Sequence, residues 1–97
     1  MLEYHAAYYP VEDGYYFVKL LDFPGVFTQG KNLENARYMI RDALKMFAEC
    51  QLEEGQSLPL PNPRARDKKA ELVEPIVLSV RTSAKKPREK KKASNAR

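Results

Sequence analysis

Over about the first 30 residues, short apolar runs are interrupted by proline, glycine and acidic residues, and farther along the chain apolar residues recur every three or four positions. The early runs are rich in tyrosine, phenylalanine and valine, a composition typical of strands. Asp13 and Gly14 can adopt the positive φ angles of a tight hairpin, and Pro24 with Gly25 breaks the chain after the second run. The pattern predicts an antiparallel meander of three strands, at residues 2–9, 15–21 and 26–30.

The helix-like pattern begins at residue 33. Its apolar residues fall on one stripe of a helix: Leu33, Ala36, Ile40, Ala43, Leu44, Phe47 and Ala48. Asn32 is a suitable N-cap, and Gly55 lies just past the last periodic residues. We therefore predict a helix at 33–54 that covers one face of the sheet. Another face of this helix carries a basic ridge, for which exposure to solvent is the simplest interpretation: Arg37, Arg41 and Lys45.

The region after the helix is predicted to return the chain to the sheet. Prolines at positions 59, 61 and 63 require an extended connector, and residues 64–70 are polar. Residues 72–80 are β-branched enough to form a fourth strand, in which Pro75 indicates an edge position or a bulge because it lacks a backbone N–H. The predicted fold class is α+β: a three-stranded antiparallel meander, one long helix, a fourth strand that joins the sheet, and a basic tail.

Charge is divided unevenly between the two parts of the chain. Residues 81–97 hold eight basic residues and one acid, so they carry +7, and the remaining residues carry −3 of the total of +4. Residues 81–97 contain no aromatic residue, leucine, isoleucine or valine, so they cannot contribute to a core. We predict a folded domain at 1–80 and a disordered basic tail at 81–97. The tail residues predicted to bind nucleic acid, nonspecifically and with strong salt dependence, are Lys85, Lys86, Arg88, Lys90, Lys91 and Lys92.

The remaining composition argues against several classes of protein. One cysteine, Cys50, cannot form an internal disulfide, and with the single His5 there is no cluster to bind zinc. No apolar run approaches the roughly 20 residues of a membrane-spanning helix, and the N-terminus lacks the form of a signal peptide. We expect a cytoplasmic protein without a metal or cofactor, in which Cys50 is a small buried apolar residue.

Candidate chemistry is sparse. His5 has no serine or cysteine partner nearby in the sequence, and a two-metal nuclease site would need more than Glu3 on the first strand. We therefore predict a binding protein and not an enzyme.

Alternation places Tyr4 and Tyr8 on one face of the first strand and Tyr9 on the other. The six tyrosines either form the core and an ordinary half-exposed sheet, or present an aromatic surface to a protein partner or to single-stranded RNA.

Three stretches of the chain resemble the N-terminal domain of the HicB antitoxin family. They are Gly-Tyr-Tyr-Phe-Val at 14–18, Asp-Phe-Pro-Gly-Val-Phe-Thr-Gln-Gly at 22–30 and Asn-Leu-Glu-Asn-Ala at 32–36. The resemblance covers about residues 1–80. Physically, the proline and glycine turn the chain, Gly30 frees the backbone before the helix, and the threonine and glutamine can satisfy local backbone groups. The residues of this fold motif are Gly14, Pro24, Gly25, Thr28, Gln29 and Gly30.

The resemblance implies a fold that is partly like ribonuclease H without its active site. It also implies that the protein is an antitoxin of a type II toxin-antitoxin pair. The implied partner is a HicA-like, mRNA-cleaving toxin, and the antitoxin would cover the catalytic histidine and the RNA-binding surface of that toxin. The acidic body suits such a basic partner. We expect a homo-oligomer, either a dimer or a tetramer. The alternative is a small nucleic-acid-binding protein that acts through the basic tail.

Overall fold

The first strand lies at the centre of the sheet, between neighbours from both ends of the folded region. The computed structural model describes residues 2–79. Its elements, in chain order, are β1 (Leu2–Pro10), a short 3-10 turn (Glu12–Gly14), β2 (Tyr16–Leu20), β3 (Phe27–Gly30), α1 (Leu33–Glu53) and β4 (Leu72–Leu78). The predicted order of three strands, helix and strand is confirmed. The basic tail lies outside the described residues.

All strand pairs are antiparallel, and the order across the sheet is β3, β2, β1, β4. β1 pairs with β2 over its second half, from Ala6 opposite Leu20 to Pro10 opposite Tyr16. It pairs with β4 over most of its length, and Pro75 stands opposite His5. Since β4 has a neighbour on one side only, the prediction that Pro75 lies on an edge strand is confirmed.

Two turns shape the meander as their residue types predict. Asp13 and Gly14 have φ angles of 61° and 79°, and the Tyr15 backbone N–H donates to the Glu12 carbonyl to close the hairpin. The second turn places Pro24 and then Gly25, with φ of 91°, between Phe23 and Val26. Pro followed by a glycine of positive φ is the type II arrangement, and the Val26 N–H donates to the Phe23 carbonyl at 3.3 Å.

Helix α1 begins and ends where its capping residues predict. The Asn32 side chain accepts a hydrogen bond from the Asn35 N–H at 2.7 Å, and Gly55 follows the helix with φ of 77°. The helix packs on the sheet face formed by Tyr4, Tyr8 and their strand neighbours. Its buried residues are Ala36, Ile40, Leu44 and Ala48.

The predicted stripe is wrong at its C-terminal end. Phe47 is 43% exposed and Cys50 is exposed, although both were expected inside. The buried positions recur every four residues, and four residues advance a helix by about 40° beyond a full turn. The contact stripe therefore rotates around α1, so that by the last turns Phe47 and Cys50 lie beside it and not within it.

Gly30 allows β3 and α1 to approach each other closely. A Cβ atom at this position would collide with the backbone of Ala36 and lie 2.9 Å from its Cβ atom. Gly30 is not among the glycines with positive φ. The sequence therefore predicted the importance of this glycine for the wrong reason: the position requires a missing side chain, not an unusual backbone angle.

Candidate protein-interaction surface

The two faces of the sheet differ in what covers them. The inner face packs on α1, and Tyr4 and Tyr8 are fully buried there. Tyr9 points to the opposite, outer face, as the alternation along β1 predicted. No helix within residues 2–79 covers the outer face, so its exposed side chains are available for contact with another molecule.

The connector between α1 and β4 covers part of the outer face over β1. The connector starts on the inner side of the sheet, where the Tyr4 hydroxyl donates to the Pro59 carbonyl at 2.7 Å. It then passes beside β1, where the Asn62 N–H donates to Asp22 Oδ2 at 2.9 Å. Farther along, the Tyr9 hydroxyl donates to Asp67 Oδ2. This later part of the connector lies on the outer side of β1, where Ala7 is fully buried. The prolines predicted an extended connector, but its attachment to the sheet had no signal in the sequence.

Asp22 is the buried anchor of this attachment. Its carboxylate accepts hydrogen bonds from the His5 N–H at 2.8 Å, from the His5 ring at 2.9 Å and from Asn62. Burial would raise the pKa of Asp22, but these hydrogen bonds together hold the pKa below its usual value of 3.8. His5 thus has a structural partner, and among the described residues this pair has no serine or cysteine beside it.

The other half of the outer face carries an aromatic row that crosses three strands. The row consists of Tyr9 on β1, Phe17 on β2 and Phe27 on β3, and adjacent ring centroids are 5.9 Å apart in both pairs. The Lys19 ammonium lies 5.6 Å from the centre of the Tyr9 ring. Burial and the bond to Asp67 raise the pKa of Tyr9 to about 12. Phe27 is 61% exposed, so the end of the row on β3 is the most accessible.

A shallow groove lies beside the aromatic row, where the first hairpin turns. This hairpin groove has a volume of about 850 Å³ and is lined by Val11, Glu12, Asp13, Tyr15, Phe17 and Gln29. Two carboxylates and two aromatic rings therefore line the same depression, and none of its lining residues within 2–79 is basic. The sequence predicts only a turn here, because alternation along β1 places Tyr9 on the outer face but does not show which turn residues lie beside it.

The residues of the fold motif occupy different environments. Gly14 and Gly25 adopt positive φ angles, and Pro24 is exposed at its turn. Thr28 is half-buried opposite Val18, on the side that faces the helix. Gln29, which was predicted to satisfy local backbone groups, is exposed and lines the hairpin groove. The six basic tail residues proposed for nucleic acid lie outside the described residues, so they stay a prediction.

The basic ridge on α1 is partly neutralised by the sheet. Arg37 forms a forked ion pair with Glu74 of β4, with its Nη2 atom 2.6 Å from Oε2. Hydrogen bonding to this guanidinium lowers the pKa of Glu74, and burial beside the same carboxylate raises the pKa of Tyr8 to about 12. Arg41 and Lys45 are exposed. The ridge therefore combines one structural contact with two solvated charges.

The structure gives no grounds for metal chemistry in the part that it describes. Across residues 2–79, three or more histidine, cysteine, aspartate or glutamate side chains never come together in a way that could hold a metal ion. The same stretch contains no helix with both the length and the apolar character needed to cross a membrane. The candidate functional surface is the outer face of the sheet, where the aromatic row ends in exposed Phe27, a composition that suits binding of a protein.

Comparison with known proteins identifies the family of the chain. The family described as HicB_like antitoxin of bacterial toxin-antitoxin system matches residues 4–95. Antitoxin HicB 1 of Photorhabdus laumondii is 39% identical over 66 residues, which are 68% of this chain and 43% of that protein. Antitoxin HicB of Escherichia coli K12 is 31% identical over 62 residues, which are 64% of this chain and 45% of that protein. The chain thus spans less than half the length of these two relatives.

The fold has a counterpart among solved structures. The N-terminal domain of the Burkholderia pseudomallei antitoxin HicB superposes with a TM-score of 0.70 at 20% identity, covering 81% of this chain and all of that domain. The fold is therefore that of a small α+β domain with one sheet face covered by a helix. The family match over residues 4–95 shows the family of this domain: the chain belongs to the HicB-like antitoxins of bacterial toxin-antitoxin systems. The predicted resemblance is confirmed, and the match extends beyond residue 80.

Proposed function

We propose that residues 1–80 neutralise a HicA-like, mRNA-cleaving toxin by covering its catalytic and RNA-binding surface. The observation that carries this proposal is the half-open outer face, where the aromatic row ends in exposed Phe27 and adjoins, at Phe17, a groove lined by carboxylates. Exposed aromatic side chains next to charged ones are typical of protein interfaces, because they bury a large area at a small entropic cost. Membership of the antitoxin family supports a toxin as the partner.

The charge of the body favours the same kind of partner. Residues 1–80 carry a net charge of −3. A protein that binds and cleaves RNA needs a basic surface to hold the phosphates. Opposite charges steer such partners together and discourage like-charged competitors. An acidic domain with a fixed outer surface therefore suits the RNA-binding side of a toxin better than it suits RNA itself.

The alternative function is nucleic-acid binding through the tail. Its support is the charge of +7 within residues 81–97, which contrasts with the acidic body. Binding of this kind would be nonspecific and would weaken steeply as salt rises, because released counterions drive it. The two functions use different parts of the chain, so one deletion separates them.

The test compares the full-length chain with a variant that ends at residue 80. We expect both proteins to inhibit mRNA cleavage by a cognate HicA-like toxin with similar potency, and only the full-length chain to be retained on RNA at low salt. Thermal unfolding of the shortened protein should stay cooperative, because the tail has no large apolar side chains for a core. A folded but inactive variant would contradict the antitoxin proposal.

A second variant controls for charge without changing chain length. Replacing Lys90, Lys91 and Lys92 with glutamine lowers the tail charge by three. This change should weaken retention on RNA and lessen its salt dependence, while inhibition of the toxin stays within about twofold. Size-exclusion chromatography of the same proteins tests the proposed dimer or tetramer. If inhibition falls together with RNA retention in this variant, the tail carries the function.

A further inference from the structure

The outer face contains one complete arrangement of an aromatic ring, a carboxylate and a cation. The Lys19 ammonium lies 5.6 Å from the centre of the Tyr9 ring, and the Tyr9 hydroxyl donates to Asp67. The charge of Lys19 also helps to lower the pKa of Asp67. Here the ring attracts the cation through its negative face, and the carboxylate supplies the opposite charge. The fold therefore satisfies this set of three groups internally.

The hairpin groove combines the same two kinds of group, aromatic rings and carboxylates, and the described part of the chain supplies no cation to its lining. The rings of Tyr15 and Phe17 line it, together with the carboxylates of Glu12 and Asp13, and Gln29 adds an amide. None of the six lining residues is basic, and Tyr15 is 40% exposed. A ring next to a carboxylate at an accessible position is an arrangement that a lysine or arginine side chain complements.

We propose that the hairpin groove receives an arginine or lysine side chain of the partner protein, while the neighbouring aromatic row receives apolar side chains. The proposal rests on the proposed function for the identity of the partner as a toxin. Complementary charge selects this occupant. Glu12 and Asp13 repel the phosphates of a nucleic acid. They also disfavour a second copy of residues 1–80, because that part of the chain itself carries a net charge of −3.

A conservative double variant removes the charge of the groove while keeping its shape. Glu12→Gln and Asp13→Asn preserve side-chain size, and asparagine is among the few residues that tolerate a φ of 61°. The matched control is Glu53→Gln with Glu54→Gln, a pair of adjacent exposed carboxylates at the C-terminal end of α1. Both variants change the net charge by the same amount, so any difference between them is local.

The groove is tested directly with a small probe on the full-length chain. Acetyl-Ala-Arg-Ala-amide is titrated by NMR, and acetyl-Ala-Gln-Ala-amide serves as the neutral comparison. We expect saturable shifts of the Tyr15, Phe17 and Gln29 amides with the arginine peptide only. The shifts should disappear in the groove variant and persist in the control variant. Shifts that are equal for the two peptides, or unchanged in the groove variant, overturn the proposal.

Binding of a HicA-like toxin provides the second readout. The groove variant should raise the dissociation constant about tenfold at low salt, with a smaller difference at high salt, and the control variant should stay within about twofold. If wild-type protein fails to bind the toxin while the peptide result holds, the proposed function fails and the cation site remains. If toxin binding is equal in all three proteins, the groove is not the contact.

The same proteins identify other occupants. A change of oligomer size in the groove variant would assign the groove to a second copy of the chain. Tighter binding of the arginine peptide after removal of residues 81–97 would assign it to the basic tail. Either result overturns the proposal, because the occupant would not be a side chain of a partner protein.

Discussion

Tyr8 and Tyr9 are neighbours in the sequence, yet they lie on opposite faces of the sheet and in different environments. Tyr8 lies 1% exposed under α1, beside the Arg37 and Glu74 ion pair. Tyr9 lies half-buried on the outer face, attached to the connector through Asp67 and stacked near Phe17. The period of two along a strand separates them completely.

This difference indicates that the two faces of the sheet have separate roles. The inner face supplies the core, because its buried side chains pack with the aliphatic residues of α1 in one cluster. The outer face is covered by the connector over β1, which leaves the aromatic row accessible toward β3. A substitution on the inner face should therefore cost stability, and a substitution on the open part of the outer face should cost binding.

The largest effect is expected on the inner face. Ile40→Ala removes a fully buried side chain, so it should lower the free energy of unfolding by about 2–5 kcal/mol. Phe47→Ala is the matched change on the same helix, and because Phe47 is 43% exposed it should cost less than about 1.5 kcal/mol. Urea unfolding of both variants checks the order. Equal losses would place Phe47 in the core after all.

An intermediate effect is expected where the connector meets the sheet. Asp22→Ala removes the acceptor of three hydrogen bonds, and we expect a loss of about 2–3 kcal/mol, since bonds to an ionised group are stronger than neutral ones. The measurement is urea unfolding at neutral pH. A loss below about 0.5 kcal/mol would show that the connector holds without this carboxylate.

The same carboxylate predicts a dependence on pH. Because the folded pKa of Asp22 is lower than the unfolded value of 3.8, its stabilisation is complete above that value and is lost as pH falls through the folded pKa. The difference in stability between wild type and Asp22→Asn should therefore shrink on acidification below pH 3.8. A difference that grows on acidification would contradict the lowered pKa.

The smallest effect on stability is expected at the open end of the aromatic row. Phe27→Ser should change the free energy of unfolding by less than about 1 kcal/mol, since Phe27 is 61% exposed and loses mainly a cross-strand contact. Affinity for a HicA-like toxin should nevertheless fall about tenfold or more. Leu60→Ser, at a residue that is 86% exposed and outside the row, is the control and should leave binding unchanged. Equal binding by both variants would move the interface elsewhere.

Periodicity and turn chemistry predicted most of the fold, because both are local properties of the chain. The order of elements, the cap at Asn32, the turn at Gly25 and the edge position of Pro75 all follow from single residues or short patterns. The helix stripe failed at Phe47 because the crossing of a helix over a sheet rotates the buried positions, and this crossing depends on distant residues.

The candidate surface was less accessible to prediction. Alternation correctly placed Tyr9 on the outer face, but the covering of that face depends on contacts between residues far apart in sequence, such as Asn62 with Asp22. The hairpin groove combines Glu12 on one turn with Gln29 on another strand. Only the register of the sheet brings them together, and one sequence does not reveal the register.

The central position of β1 has a consequence for synthesis of the chain. β1 leaves the ribosome before the other three strands of this sheet, and β2 can pair with it soon afterwards, but its other neighbour spans Leu72–Leu78. Until that segment emerges, one edge of β1 keeps its backbone N–H and C=O groups unpaired, a state in which strands recruit other chains. The nascent chain thus leaves one edge of an interior strand open until β4 emerges, and the pairing of β4 with β1 ends this vulnerable interval.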